Sequence, residues 1–104
     1  MTQSRKKSKN KTETRAAAPL CWTDHAWEDY LWHQQHNAAA VGAINALIQE
    51  CLRSPFKGTD KPEPLRDNLS GFWSRRIDRT HRLVYLYEQD TLTIVQCRYH
   101  YDDR

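Results

Sequence analysis

No apolar run in the 104-residue chain approaches the roughly 20 residues that a membrane-spanning helix requires, so no anchor of that kind is expected. Cysteine is sparse. Cys21, Cys51 and Cys97 are odd in number, far apart and nowhere arranged as CxxC, which argues against both a disulfide framework and a zinc knuckle. Reduced thiols in a cytoplasmic protein fit that usage, with Cys51 and Cys97 reading as small core residues on apolar faces. Metal-ligand spacing is missing too. His33 and His36 would share a helix face but have no third ligand of matching spacing, and His25 belongs to no motif. All three read as solvated surface histidines, and no metal or cofactor is expected. Ala16-Ala17-Ala18-Pro19-Leu20 is too short for the apolar segment of a secretory signal, and Ala18-Pro19-Leu20-Cys21 makes a poor lipoprotein cleavage site.

What the chain does hold is positive charge, unevenly spread. The overall balance of +3 conceals a leader, Met1 to Arg15, with six basic residues against Glu13 alone, a net of +5. Residues 1–19 are polar and poor in large apolar side chains, so they cannot offset the entropy of ordering and are expected to form a disordered basic arm. That arm reads either as a solvated leader or as a non-specific RNA contact. A second concentration lies between Arg53 and Arg82, where eight basic residues meet four acidic ones, as expected of a groove that takes a polyanion.

From residue 20 to 104 the pattern is that of one small α+β domain. Leu20-Cys21-Trp22 reads as a first strand, and Thr23-Asp24 as the start of a capped helix to about Gln35 whose apolar face is Trp27, Tyr30 and Leu31. Asn37 can cap a second helix, from about Ala38 to Leu52, with Val41, Ile44, Leu47, Ile48 and Cys51 as its stripe. Residues 54–68 are broken by Pro55, Gly58, Pro62 and Pro64 and read as a long, stiffened loop. Three strands follow: one opening at Leu69 to Phe72 and running to about Ile77, one from His81 to about Tyr87, and one from Thr91 to about Tyr99. Two helices in front of a β-meander predict helices packed on one face of a mainly antiparallel sheet.

The residues that carry chemistry gather in KPEPLRDNLSGFWSRRIDRTHRLVY, Lys61 to Tyr85, and in CRYHY, Cys97 to Tyr101. Glu63 stands between two prolines with fixed φ, so its side chain is aimed; it is equally available as a counter-ion to the cations around it. Arg76 and Arg82 fall on strands joined by a tight turn and can bracket one phosphate, or be solvated or paired with Asp78. His100, between Tyr99 and Tyr101, can hold and deliver a proton near neutral pH. Together these groups meet the needs of RNA cleavage by the RNA's own 2′-hydroxyl. That reaction takes a base for the hydroxyl proton, cations over the phosphorane, an acid for the 5′-oxygen and rings on which bases stack.

These same runs, with SPF ahead of them and WEDYLWHQ and INALI earlier, resemble the YoeB-type toxins of the RelE superfamily over Leu20 to Tyr101. The resemblance implies a RelE-like microbial RNase fold and a ribosome-dependent endonuclease that cuts mRNA in the A site of the 70S ribosome without a metal. It also implies neutralisation by a YefM-like antitoxin, homodimer formation, and operator DNA binding only through the antitoxin complex. Carried onto this chain, Glu63 is the general base, Arg82 the phosphate-stabilising arginine and His100 the general acid. Lys61, Arg66, Arg76 and Tyr101 are RNA contacts. Three features depart from the family. Asp67 follows Arg66 where a histidine often follows a lysine, Asp102-Asp103-Arg104 extends beyond Tyr101, and the basic arm has no counterpart. Two other readings stay open at this stage: a non-catalytic inhibitor that occupies RNA or ribosome, and a regulator that only pairs with an antitoxin.

Overall fold

The computed structural model describes residues 19–99; residues 1–18, His100, Tyr101 and the three residues after them lie outside the described residues. Its elements are β1 (Leu20–Trp22), α1 (Asp24–His36), α2 (Ala38–Arg53), β2 (Glu63–Pro64), a 3₁₀ turn (Asp67–Leu69), β3 (Trp73–Arg76), β4 (Arg82–Glu88) and β5 (Thr91–Gln96). The strands form one sheet in the order β1-β5-β4-β3-β2. β1 runs parallel to β5, and every other pairing is antiparallel. The expected architecture is therefore present, with two helices against a mixed, mainly antiparallel five-stranded sheet.

Helix α2 forms as its pattern requires. Ile44, Leu47, Ile48 and Cys51 recur at helical spacing and all are buried. They meet Leu83 and Tyr85 of β4 and Leu92 and Ile94 of β5 in the main core cluster, and each such aliphatic side chain contributes about 1.5–3 kcal/mol on full burial. Cys97 and Cys51 belong to this core. In β4 the expected alternation holds: Leu83 and Tyr85 enter the core cluster, while Val84, buried as well, pairs with Ser74 on the other face. The β4–β5 register shifts between Val84 and Tyr85, a bulge whose extra residue, Val95, lies in β5.

Helix α1 corrects two expectations. Its most buried face is Ala26, Asp29 and His33; of the expected Trp27, Tyr30 and Leu31 only Tyr30 packs against the core, and Trp27 is 45% exposed and Leu31 38%. His33, expected on the surface, is 0% exposed. The cause is tertiary. β1 is only three residues long and pairs with Leu92, Thr93 and Ile94 of β5. Beyond that point α1 side chains take over the pairing. The Thr23 hydroxyl donates to the Val95 carbonyl at 3.2 Å while capping α1 by accepting from Ala26 N–H at 3.0 Å. Asp29 accepts the Cys97 N–H at 3.0 Å, and His33 Nε2 donates to the Cys97 carbonyl at 2.7 Å. A buried backbone group without a partner costs about 1–3 kcal/mol, so the two inward polar residues repay their own burial by satisfying the end of β5. The exposed Trp27 is not idle. Trp22, Trp27 and Tyr30 pack ring to ring at 5.0–5.7 Å beside a groove of about 500 Å³ between β1, α1 and α2.

The breaker-rich segment also carries more order than a loop. Glu63 and Pro64 pair with Ser74 and Trp73 as the edge strand β2, a position where proline's missing N–H removes no ladder bond. The segment expected to open β3, Leu69 to Phe72, instead ends a 3₁₀ turn and turns again at Ser70 and Gly71, so β3 starts at Trp73, and β5 ends at Gln96, short of Tyr99. Asp29→Ala is expected to lower stability by about 1–3 kcal/mol in urea denaturation by orphaning Cys97 N–H. Asp29→Asn, which keeps an acceptor oxygen, loses distinctly less.

Candidate active site and its scaffold

Strand β3 splits its two arginines between the faces of the sheet. Arg75 shares its phase with Trp73 and Ile77, so it enters the core side, while Arg76 faces out with Ser74. Arg75 is 0% exposed, and a guanidinium there must find acceptors for its donors. They come from the segment leading to Glu63. Nη2 donates to the carbonyls of Ser54 (2.5 Å) and Lys57 (2.6 Å), Nη1 to that of Thr59 (3.3 Å), and Nε to the Tyr85 hydroxyl (3.2 Å). The Tyr85 hydroxyl in turn donates to the Pro55 carbonyl at 2.5 Å, and Glu50 lies 3.6 Å from Arg75 Nη1. Burial opposes the charge on Arg75, but the Tyr85 hydroxyl and the neighbouring Cys51, Tyr85 and Glu50 outweigh it and raise its pKa above the ordinary value. Burial pushes Tyr85 up to about 12 and raises the Cys51 thiol as well.

Glu50 grips the same segment from α2. It accepts the Thr59 hydroxyl at 2.6 Å and the Thr59 N–H at 3.0 Å, and these bonds, the hydroxyl's first, hold its carboxyl below the usual range. The fit leaves no room at Gly58, whose φ is +116° and whose Cβ would run into the Glu50 carboxylate. Asp60 and Lys61 follow at φ of 60° and 51°, a left-handed conformation that costs a side-chain-bearing residue roughly 1–2 kcal/mol. Bonds to β3 and β4 keep them there: Arg76 N–H donates to the Asp60 carbonyl at 2.8 Å, and Arg82 Nη2 to that of Lys61 at 3.3 Å.

The segment delivers Glu63 to the sheet face opposite the core. Glu63 pairs with Ser74, and Arg76 pairs with Arg82 across the β3–β4 ladder, so these four side chains share one face. Arg82 is the hub. Its Nε donates to the Ser74 hydroxyl, and its Nη2 sits 3.4 Å from Glu63 Oε1. The Arg82 side chain is 11% exposed and that of Glu63 51%, so the arginine is held from behind and the carboxylate opens to solvent. As an ion pair this half-exposed contact is worth at most about 1 kcal/mol, which leaves both partners available to a ligand.

The C-terminal segment reaches the same place. Tyr99 N–H donates to His81 Nδ1 at 2.7 Å, and its carbonyl accepts Arg82 N–H at 3.1 Å, with Tyr99 at φ 61°. Arg98 lies 3.7 Å over the Trp32 ring and donates to the Tyr99 hydroxyl at 2.9 Å. Of the residues singled out in the sequence, Glu63, Arg82, Arg76 and Lys61 come together here. Arg66 is exposed and caps the start of the 3₁₀ turn. His100 and Tyr101 lie outside the described residues. Sequence reasoning missed Ser74, Arg75 and His81. Arg75 had a signal, since its alternation with Arg76 placed it in phase with Trp73 and Ile77. Among the described residues no cluster of three metal-type ligands occurs.

Arg75→Leu is expected to cost about 3 kcal/mol or more, because it leaves the carbonyls of Ser54, Lys57 and Thr59 without their donor. Tyr85→Phe, which breaks the link to Pro55 and Arg75 Nε alone, is expected to cost about 1–2 kcal/mol, both read from urea midpoints.

With this geometry in view, the chain was compared with known proteins. Residues 22–101 match the family model of the YoeB-like toxin of bacterial type II toxin-antitoxin system. Toxin YoeB of Escherichia coli (strain K12) is 54% identical over 82 residues, 79% of this chain and 98% of that protein. Among solved structures, the YoeB-YefM complex from Staphylococcus aureus superposes with a TM-score of 0.73 at 41% identity, covering 79% of this chain and 95% of the other. The YoeB dimer from the same organism gives 0.76 at 38% identity, covering 82% and 99%. An edge-strand carboxylate held against a hairpin arginine thus sits within the part of the chain, residues 22–101, that matches this family, and the chain belongs to the YoeB-like toxins of bacterial type II toxin–antitoxin systems.

Proposed function

We propose that this toxin is a ribosome-dependent endoribonuclease that cuts mRNA in the A site of the 70S ribosome by metal-independent general acid–base catalysis. The observation that carries the reading is the Glu63 carboxylate, open to solvent and 3.4 Å from the Arg82 guanidinium, with Arg76 directly across the ladder. In the reaction, Glu63 takes the proton of the 2′-hydroxyl and the 2′-oxygen attacks the adjacent phosphorus. The charge gathering on the phosphorane is met by Arg82, which Ser74 and the Lys61 carbonyl pre-orient, and by Arg76. His100 gives its proton to the departing 5′-oxygen, leaving a 2′,3′-cyclic phosphate and a 5′-hydroxyl. Lys61, Arg66 and Tyr101 hold the RNA on either side, by charge and by stacking.

A YefM-like antitoxin is the neutralising partner, and a second copy of the chain the ordinary state; a YefM complex and a dimer of S. aureus YoeB support both. Operator DNA is bound only through the antitoxin complex, and the protein acts in the cytoplasm, where its substrate is translated.

On programmed ribosomes, Glu63→Gln and His100→Ala are each expected to slow mRNA cleavage about 10²–10⁴-fold while the proteins stay folded. Primer extension from the transcript and circular dichroism measure the two properties. Stalled ribosomes on intact mRNA with the unaltered protein would establish inhibition by occupancy instead.

A further inference from the structure

His81 closes the turn before β4, and nothing in the nuclease reading above uses it. Its backbone is fixed on both sides. Its N–H donates to Asp78 Oδ1 at 2.8 Å, and its carbonyl accepts from Ile77 N–H at 3.0 Å. The buried ring stands edge-on to His33 at 4.7 Å and lies beside Tyr99 at 5.5 Å. Because a backbone N–H can only donate, the 2.7 Å contact from Tyr99 N to His81 Nδ1 assigns Nδ1 as the acceptor and places the ring proton on Nε2.

The bond matters because of what it holds. After β5 ends, the chain is pinned at Cys97 by Asp29 and His33, and at Tyr99 by His81 and by the N–H of Arg82 itself. Tyr99 adopts a left-handed φ of 61° that an unbranched extended tail would not choose. The carbonyl fastened to Arg82 is the one whose peptide bond leads to the next residue in sequence, His100.

We propose that His81 is a positioning residue of the RNA-cutting site, latching Tyr99 N–H and so fixing the carbonyl that holds Arg82 N–H, one residue ahead of His100 in sequence. The proposal rests on the assignment of His100 as the proton donor. The latch needs the neutral ring, and its surroundings supply one. Desolvation lowers the His81 pKa; His33 on α1 and Arg98 in the tail push the same way, and Asp78 on the turn and Asp29 on α1 push against. The Trp32 ring completes the enclosure. With the folded value lowered, the latch is complete above the ordinary pKa near 6.5 and opens as pH falls through the folded value.

Two polar variants separate latching from packing. The amide oxygen of Asn lies where Nδ1 does, and that of Gln lies where Nε2 does. In the full-length protein, His81→Asn is expected to keep the Tyr99 amide protected from hydrogen exchange and to cut programmed ribosomes within about 3-fold of the unaltered rate. His81→Gln is expected to exchange the Tyr99 amide at least about 10-fold faster. Its single-turnover cleavage rate should fall about 10–100-fold with unchanged affinity for the ribosome. The unaltered protein should also lose Tyr99 protection below pH 6.5 in a step that the Asn variant lacks. Equal Tyr99 exchange and equal cleavage in the Asn and Gln variants would overturn the latch. Faster Tyr99 exchange in His81→Gln with undiminished cleavage would overturn its part in catalysis. If Glu63→Gln cuts at the full rate, the nuclease reading itself fails, while the exchange measurement continues to report on the latch.

Discussion

The guanidinium of Arg75 is buried in a ring of carbonyl oxygens, and the position of the candidate base follows from it. A cation in the core is costly unless every donor is met, and here the acceptors are the backbone of Ser54, Lys57 and Thr59 together with Tyr85. The requirement works in both directions. Arg75 needs the segment to neutralise its donors, and the segment, broken by proline and glycine and unable to form a helix or a long strand, needs Arg75 to adopt one shape. Glu50 tightens the same knot from α2. Only then do Asp60 and Lys61 hold their left-handed conformations and deliver Glu63 in register with Ser74.

The other end of the site is built by the same logic with different atoms. The end of β5 has outrun its short parallel partner, and three α1-side groups, Thr23, Asp29 and His33, substitute for the missing strand. Polar side chains in the core therefore position backbone at both margins of the sheet, and Arg82 stands between them, bonded to Lys61 on one side and to Tyr99 on the other. This division leaves the outer sheet face free to carry charge, while the main hydrophobic cluster lies on the helical side.

Much of this was readable from the chain. The α2 stripe, the strand order of the meander, the Arg76–Arg82 hairpin and the aimed carboxylate at Glu63 all follow from local rules of period, breaker and turn. The phase of α1 did not, because Trp27 and Leu31 outweigh Asp29 and His33 on any scale of hydrophobicity. The partner that decides the matter, the backbone of Cys97, lies 64 residues or more away in sequence. The bulge between Val84 and Tyr85 likewise depends on how β5 meets β4 rather than on either strand alone. Arg75 was visible in the alternation of WSRRI, yet one arginine among eight nearby cations reads as surface charge until its acceptors are seen.

The central claim, that the 2′-oxygen of the message attacks its own phosphate with Glu63 as base, is tested most directly by the chemistry of the cut ends. Fragments released from programmed ribosomes by the unaltered protein should carry 5′-hydroxyl groups, accepting phosphate from polynucleotide kinase without prior dephosphorylation, and 2′,3′-cyclic phosphates on the upstream pieces. Downstream fragments that carry 5′-phosphates would mean that water rather than the 2′-oxygen attacks, and would contradict the account.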